Sequence, residues 1–527
     1  MNIISLEFII FAVIFALVFF IVPKKWHWAV VLLGNIAFYA FAGIGYIIYM
    51  IIISLITFLA AIKTEDIVNA SKDELSKAES LEDKKAIKAV VNQKKRTICT
   101  WALVVAMGIW VVLKYTNFFL DNVNLLIEHL KPGAMIGNVS WALPLGISFY
   151  TFHAAGYLVD VYRSKYPAER NYFKYLTFIS YFPHIIQGPF SRFDELGVSI
   201  KEEHKFSYDR MCEGASRMLI GFFKKIVIAD KIGVAVNTIF GNYETYSGVY
   251  MMFAMFAYGI QLYADFAGYM DIVCGFSKIL GINLAENFKR PYFAKTVDEF
   301  WRRWHITLGT WFKDYVFYPV SMGKTGQKMG KWARKKWGAK MGKLLPGYFA
   351  LIFVWTATGL WHGANWTYLV WGYLNLIVIT MTMQLTDFYE KLKAKLHIKS
   401  EALYWQIFCI VRTFILVCFF RFFSAAPDIT TAVKMLKYTG VNMQWNVLTS
   451  PTKLFVGVEY IDIFFIVIGT LIITLIDILD EVGVWEKIKL KCPMIIRNLG
   501  FTIIIMLIIM SLGSKSDLMG GFMYASF

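Results

Sequence analysis

Apolar stretches of roughly the 20 residues that a helix needs to cross a bilayer recur from Ile4 to Met510. Backbone in lipid must satisfy its own hydrogen bonds, which leaves only helices or closed barrels. Long unalternated apolar runs specify helices. Composition agrees: hydrophobic residues make up 57% and charged residues 17%, against about 25% charged in a soluble chain. The fold class is therefore all-α and polytopic. Spans are expected near 4–23, 28–43, 46–62, 97–114, 141–160, 226–240, 249–272, 346–361, 365–385, 404–423, 460–479 and 498–513, about 11–12 transmembrane helices. The stretch 173–190 is apolar but broken by Pro183, Gly188 and Pro189. It is read as re-entrant, since broken backbone at membrane depth needs protein or a watery cavity around it. The run Ile4–Val22 has no basic leader or small-residue cleavage site and reads as an anchor.

The excess of 54 Lys and Arg over 37 Asp and Glu is explained by the positive-inside bias of membrane proteins and by attraction to anionic lipid, so no nucleic acid partner is expected. With the N-terminus outside, loop 63–96 with its nine Lys/Arg falls inside, as do 277–345, 386–403 and 480–497. The loops 44–45, 241–248 and 362–364 carry no Lys or Arg, and 424–459 carries three. Both termini are then extracytoplasmic. Three regions follow: N-terminal helices over 1–140 with a charged cytoplasmic hairpin at 63–96, a core over 141–386, and C-terminal helices with an outer tail over 387–527. Segment 321–346 holds eight Lys/Arg and no acid. It suits either anionic lipid or a polyanionic donor such as a coenzyme A phosphate.

Several familiar motifs fail. Gly323-Lys324-Thr325 lacks the phosphate-loop glycine, its place being taken by Tyr318. Gly146-Ile147-Ser148 continues as Phe149-Tyr150 rather than as a nucleophile elbow. The six cysteines form no CxxC pair and no HExxH occurs, so no metal is expected.

Of the eight histidines, His27, His129, His204 and His397 adjoin polar loop sequence and read as ordinary. His362 stands in Gly359-Leu360-Trp361-His362-Gly363-Ala364-Asn365-Trp366, which joins two apolar spans without a nearby charge. An ionisable group at membrane depth is a functional candidate, and apolar surroundings favour the neutral ring, which can accept a proton. His305 lies in Trp301-Arg302-Arg303-Trp304-His305-Ile306-Thr307-Leu308. Helical spacing places Trp301, Trp304, His305 and Leu308 on one face of an amphipathic interfacial helix. An anchoring role at headgroup level and a catalytic role both stay open for it. Asp265, Asp271, Arg412 and Arg421 sit in or beside apolar spans; Asp–Arg pairing between helices is one reading and lining of a tunnel the other.

The stretches Trp301–Asp314 and Gly359–Trp366 resemble the signature of the membrane-bound O-acyltransferase family, in particular its bacterial branch that serves alginate O-acetylation and teichoic acid D-alanylation. Further matches are Pro144–Phe152, Tyr181–Pro183, Gln187–Pro189, Asp265–Asp271 and Glu286–Tyr292. The chain departs from the alginate-type pattern after Tyr318-Pro319, where Val320-Ser321-Met322 and the basic run follow.

The resemblance implies helices enclosing a central tunnel, with a cytoplasmic acyl donor entering from one face and the acceptor from the other. His362 matches the family's essential histidine and His305 its second functional position. On that basis His362 is assigned as general base, and His305 as the group that polarises the thioester carbonyl or positions the donor. Asn365 is a candidate oxyanion donor, and Trp304, Lys313 and Arg303 are candidate donor-binding residues. Tyr524, in the terminal Phe522-Met523-Tyr524-Ala525-Ser526-Phe527, is a candidate acyl carrier or, alternatively, an interfacial aromatic anchor.

The function so implied is acetyl transfer from acetyl-CoA, at the bacterial cytoplasmic (inner) membrane, to an SGNH-type extracytoplasmic partner or an exported polysaccharide. Its rivals are a D-alanyl-type transferase fed by a carrier-protein thioester, and a transporter or flippase. The lack of repeated halves weakens the last.

Overall fold

The computed structural model describes residues 3–513. Among them seven helical stretches are long and apolar enough to cross a membrane: Lys24–Lys77, Leu81–Leu130, Lys324–His362, Trp366–Gln384, Leu403–Ala425, Tyr460–Glu481 and Met494–Leu512. The chain is a multi-pass, all-α membrane protein. Fewer helices meet both conditions than the apolar runs suggest, in part because some runs fold into shorter pieces. Leu6–Ile21 and Ile147–Tyr162 have 16 residues each. At 1.5 Å per residue each extends about 24 Å, short of a ~30 Å hydrocarbon core.

Two compact units divide the chain. The first comprises Met1–Gly214 and Phe276–Ala285. Ser5 caps Leu6–Ile21 by accepting from the Phe8 N–H at 3.3 Å. The rings of Phe8, Phe15, Phe38, Phe182 and Phe276 pack on one another with centroids 5.0–6.5 Å apart. The broken stretch after helix Tyr172–Ser180 is held by one buried asparagine. Asn35 donates to Thr177 O and Ser180 Oγ, and accepts from the Phe182 N–H at 3.1 Å. The backbone N–H that follows the break is thus satisfied by protein. Beside it His153 and His184 stack with centroids 4.0 Å apart. His27 and His204, which adjoin polar loop sequence, are buried, their rings near-parallel with centroids 6.2 Å apart. Their flanking sequence is polar, but tertiary packing turns the rings inward.

The second unit comprises Ala215–Gly275 and Glu286–Phe527. A widened π-type turn, Phe223–Ala229, precedes helix Asp230–Gly241. Its apolar side packs Phe223, Val227 and Ile228 with Phe465 and Ile466. The cations of the turn and of the helix after it meet carboxylates: Lys225 with Asp265 at 2.7 Å and Asp230 at 2.8 Å, Lys224 with Asp271 at 2.8 Å, and Lys231 with Asp462 at 3.2 Å. Asp271 also takes Arg217 at 3.0 Å. The aspartates singled out in the sequence are therefore paired between helices, chiefly by lysines. Such pairing lets charged groups sit among apolar helices.

Candidate functional site

His305 does not lie within one amphipathic helix. Helix Val297–Arg303 ends at Trp304, which is extended; His305 adopts φ 48°, and a new helix, Ile306–Phe312, begins after it. Asn287 causes the break. Its backbone O accepts from the Ile306 N–H at 3.0 Å, while its side-chain Oδ1 accepts from the Thr307 N–H at 3.1 Å and Thr307 Oγ1 at 2.9 Å. The same Oδ1 lies 3.2 Å from His305 Nδ1. A backbone N–H can only donate, so this atom is the amide oxygen. His305 Nδ1 therefore carries the proton, and Nε2 carries the lone pair of the neutral ring. Burial pushes this imidazole down to about 3, which keeps it neutral at physiological pH.

His362 closes helix Lys324–His362, and Gly363 ends the hydrogen-bonded run by donating to Gly359 O at 3.2 Å. Helix Trp366–Gln384 then folds back against it. The two helices meet through glycines. A Cβ on Gly359 would lie 2.7 Å from Tyr368 O, and one on Gly372 would lie 2.9 Å from Trp355 O. That closeness brings side chains of the second helix to the histidine: Trp371 meets the His362 ring edge to face at 4.9 Å, and Tyr368 lies parallel at 6.3 Å.

Trp361 joins the two histidines. Its ring centroid is 5.9 Å from that of His305 and 5.0 Å from that of His362. Phe266 covers another side of His305 at 4.8 Å. Trp301 packs on Trp355 at 5.2 Å and Trp371 at 5.4 Å, and its Nε1–H donates to Asn375 Oδ1 at 2.9 Å. The result is a low-polarity packing of tryptophans around two imidazoles. His305 is 2% exposed, whereas His362 keeps 8% of its surface open, which makes His362 the ring better placed to meet a reactant.

The remaining candidates divide. Trp304 is buried, stacked on Phe300 at 5.5 Å. Arg303 is engaged by Glu299 at 2.7 Å and Glu481 at 2.9 Å. Lys313 is exposed at the start of the π-type turn Lys313–Phe317. Asn365 caps Trp366–Gln384 through the Thr367 N–H at 3.0 Å and donates to Pro427 O at 2.6 Å, so it fastens the turn after His362. Tyr524 lies outside the described residues. No group of three or more His, Cys, Asp or Glu among the described residues is arranged to hold a metal. Sequence reasoning overlooked Asn287, Tyr368 and Trp371. Asn287 stands inside the Glu286–Tyr292 motif already noted, and that motif was the available signal.

A model of the MBOAT family, membrane-bound O-acyltransferases, matches residues 86–334. The teichoic acid D-alanyltransferase of Bacillus subtilis is 33% identical over 299 residues, covering 54% of this chain and 69% of that protein. The chain belongs to the membrane-bound O-acyltransferase family. Other similar members are a probable alginate O-acetylase of Azotobacter vinelandii, 35% identical over 54% of this chain and 53% of that protein, and the peptidoglycan O-acetyltransferase of Helicobacter pylori, 28% identical over 79% and 73%. The chain spans about half the length of the alginate relatives it matches. Of the two histidines in this O-acyltransferase family member, His305 falls inside the matched segment and His362 beyond it.

Proposed function

We propose that this family member is an O-acyltransferase that moves an acetyl group from cytoplasmic acetyl-CoA to an extracytoplasmic partner or an exported polysaccharide. The enzyme works from the bacterial inner membrane with both termini outside. The observation that carries the reading is the pair of buried imidazoles bridged by Trp361, one of them, His362, at the turn between two apolar helices. In the reaction the acceptor oxygen attacks the thioester carbon, a C–O bond forms and the C–S bond breaks. His362 takes the hydroxyl proton as the oxygen attacks and returns it to the leaving thiolate. A positioned base of this kind contributes about 10²–10⁴-fold. The tryptophans exclude water that would otherwise hydrolyse the thioester. His305 positions the donor: its Nδ1–H is committed to Asn287, and polarising a carbonyl through Nε2 would need a second proton, which burial opposes. Asn365 holds the turn, and Tyr524 serves as relay for the acyl group on the outer side.

Acetyl transfer by the purified chain in lipid nanodiscs, with labelled acetyl-CoA, tests the assignment. His362→Ala is expected to lower the rate by about 10²-fold or more; full retention refutes the role of His362. An acetyl adduct on the intact wild type, absent from Tyr524→Phe, supports the relay.

A second reading takes a carrier-protein thioester as donor. The exposed lysines of segment 324–343 suit an acidic carrier, and the Bacillus relative is a D-alanyltransferase by name. Slow hydrolysis of acetyl-CoA without any carrier favours the first reading. Substrate movement that survives His362→Ala would instead indicate a flippase.

A further inference from the structure

Among the described residues three cations are buried in the second unit: Lys225, Lys231 and Arg421. Both lysines have a carboxylate within 3.2 Å. Arg421 has none. Asp265, which shares Tyr258 as an electrostatic neighbour with Arg421, is taken by Lys225. The titratable groups within electrostatic reach of the guanidinium include the phenols of Tyr258 and Tyr292 and the thiol of Cys418. None of these offers a counter-charge at neutral pH. The guanidinium carbon lies 4.5 Å from the ring of Trp304, the residue directly before His305.

The hydrogen-bonding pattern is specific. Nε and Nη2 of Arg421 are buried without a hydrogen-bond partner. These two N–H groups lie along one edge of the guanidinium, the fork that matches a carboxylate or phosphate with two parallel hydrogen bonds. A guanidinium packed over an indole and presenting that edge is organised for an oxyanion. Water alone does not supply the missing charge, and an unpaired charge among membrane helices ordinarily marks function.

We infer that Arg421 is an oxyanion-binding residue of the histidine site, receiving a carboxylate or phosphate of a substrate on its Nε/Nη2 edge. That the anion belongs to a substrate rests on the acyltransferase reading; anion binding itself does not. The donor could supply it through its phosphates, and the acceptor through a uronate or lactyl carboxylate.

Two measurements test it on the full chain in detergent. In thermal unfolding at constant ionic strength, replacing chloride with acetate or phosphate raises the wild-type midpoint. Arg421→Met loses this response, and Arg421→Lys keeps part of it. In chloride, Arg421→Met is at least as stable as wild type, because it removes an uncompensated charge. In steady-state transfer, Arg421→Met raises KM about tenfold or more for one substrate with kcat little changed. A rise for acetyl-CoA assigns the donor's phosphates, and a rise for the acceptor assigns its carboxylate. Equal oxyanion responses in wild type and both variants overturn the proposal, as does a destabilised Arg421→Met with both KM values unmoved. Should Arg421→Met fail to fold, an Arg421→Lys protein with unaltered oxyanion response and KM values overturns it as well. An inactive wild type refutes the acyltransferase reading and leaves the unfolding arm to decide anion binding.

Discussion

A single amide oxygen fixes the chemistry open to His305. Asn287 Oδ1 serves three donors: His305 Nδ1, the Thr307 N–H and Thr307 Oγ1. Asn287→Ala removes the acceptor from all three, at about 1–3 kcal/mol for each buried donor then left unsatisfied. A marked fall in the thermal midpoint and slower acyl transfer are expected, read by scanning calorimetry and the labelled assay. Asn287→Asp keeps the shape and adds a negative charge beside the ring. That favours the imidazolium, so the acid limb of the pH–rate profile shifts upward. The low value of about 3 for His305 also sets a stability trend. An unconstrained histidine titrates near 6.5. Between those two values the unfolded chain binds the proton and the folded chain does not, so stability rises with pH through this window. It is lost as pH falls from 6.5 towards 3. His305→Gln should flatten that dependence in detergent unfolding curves; an unchanged slope would show that other groups govern it.

At the level of elements, the approach of Lys324–His362 to Trp366–Gln384 decides where His362 points. Gly359 sits nearly one turn before the histidine and faces backbone, with Tyr368 O and Leu369 Cα at 2.7 and 3.2 Å from the site of an added Cβ. Backbone cannot yield as a flexible side chain does. Gly359→Ala therefore separates the helices and displaces His362 from its aromatic wall. A displacement near 1 Å costs on the order of 10²-fold in rate, so transfer activity should collapse while the helical circular dichroism stays near wild type. Gly347 on the same helix meets only Phe317, at 3.9 Å. Gly347→Ala is expected to be neutral or stabilising by up to about 1 kcal/mol through helix propensity. Equal effects of the two substitutions would disprove the crossing as the cause. This contact was only half legible beforehand. The glycines beside His362 are visible in the sequence, but not which helix approaches them or at which residue.

For the molecule as a whole, the apolar runs announced a polytopic membrane protein, and the family motifs pointed to the histidines. The ion pairs inside the second unit were less legible. Lys225 answers two aspartates, Asp230 nearby and Asp265 in a different helix, whereas the sequence suggested arginine partners. Asp265→Asn should destabilise the fold by less than the cost of a fully stranded buried charge, about 3–5 kcal/mol, since Asp230 still meets Lys225. The double variant Lys225→Met with Asp265→Asn should recover part of that loss. A double-mutant cycle in detergent measures the coupling, and strict additivity would rule out a direct pair.

Hydropathy and spacing along the chain determined that this protein spans a membrane as helices and that His305 and His362 merit attention, because burial of a side chain in lipid is governed by local composition. Tertiary structure alone decided the proton on His305 Nδ1, the glycine crossing beneath His362, and the solitary charge of Arg421. Each depends on what a separate element brings alongside, and a periodic pattern fixes which face a residue occupies without fixing what lies opposite.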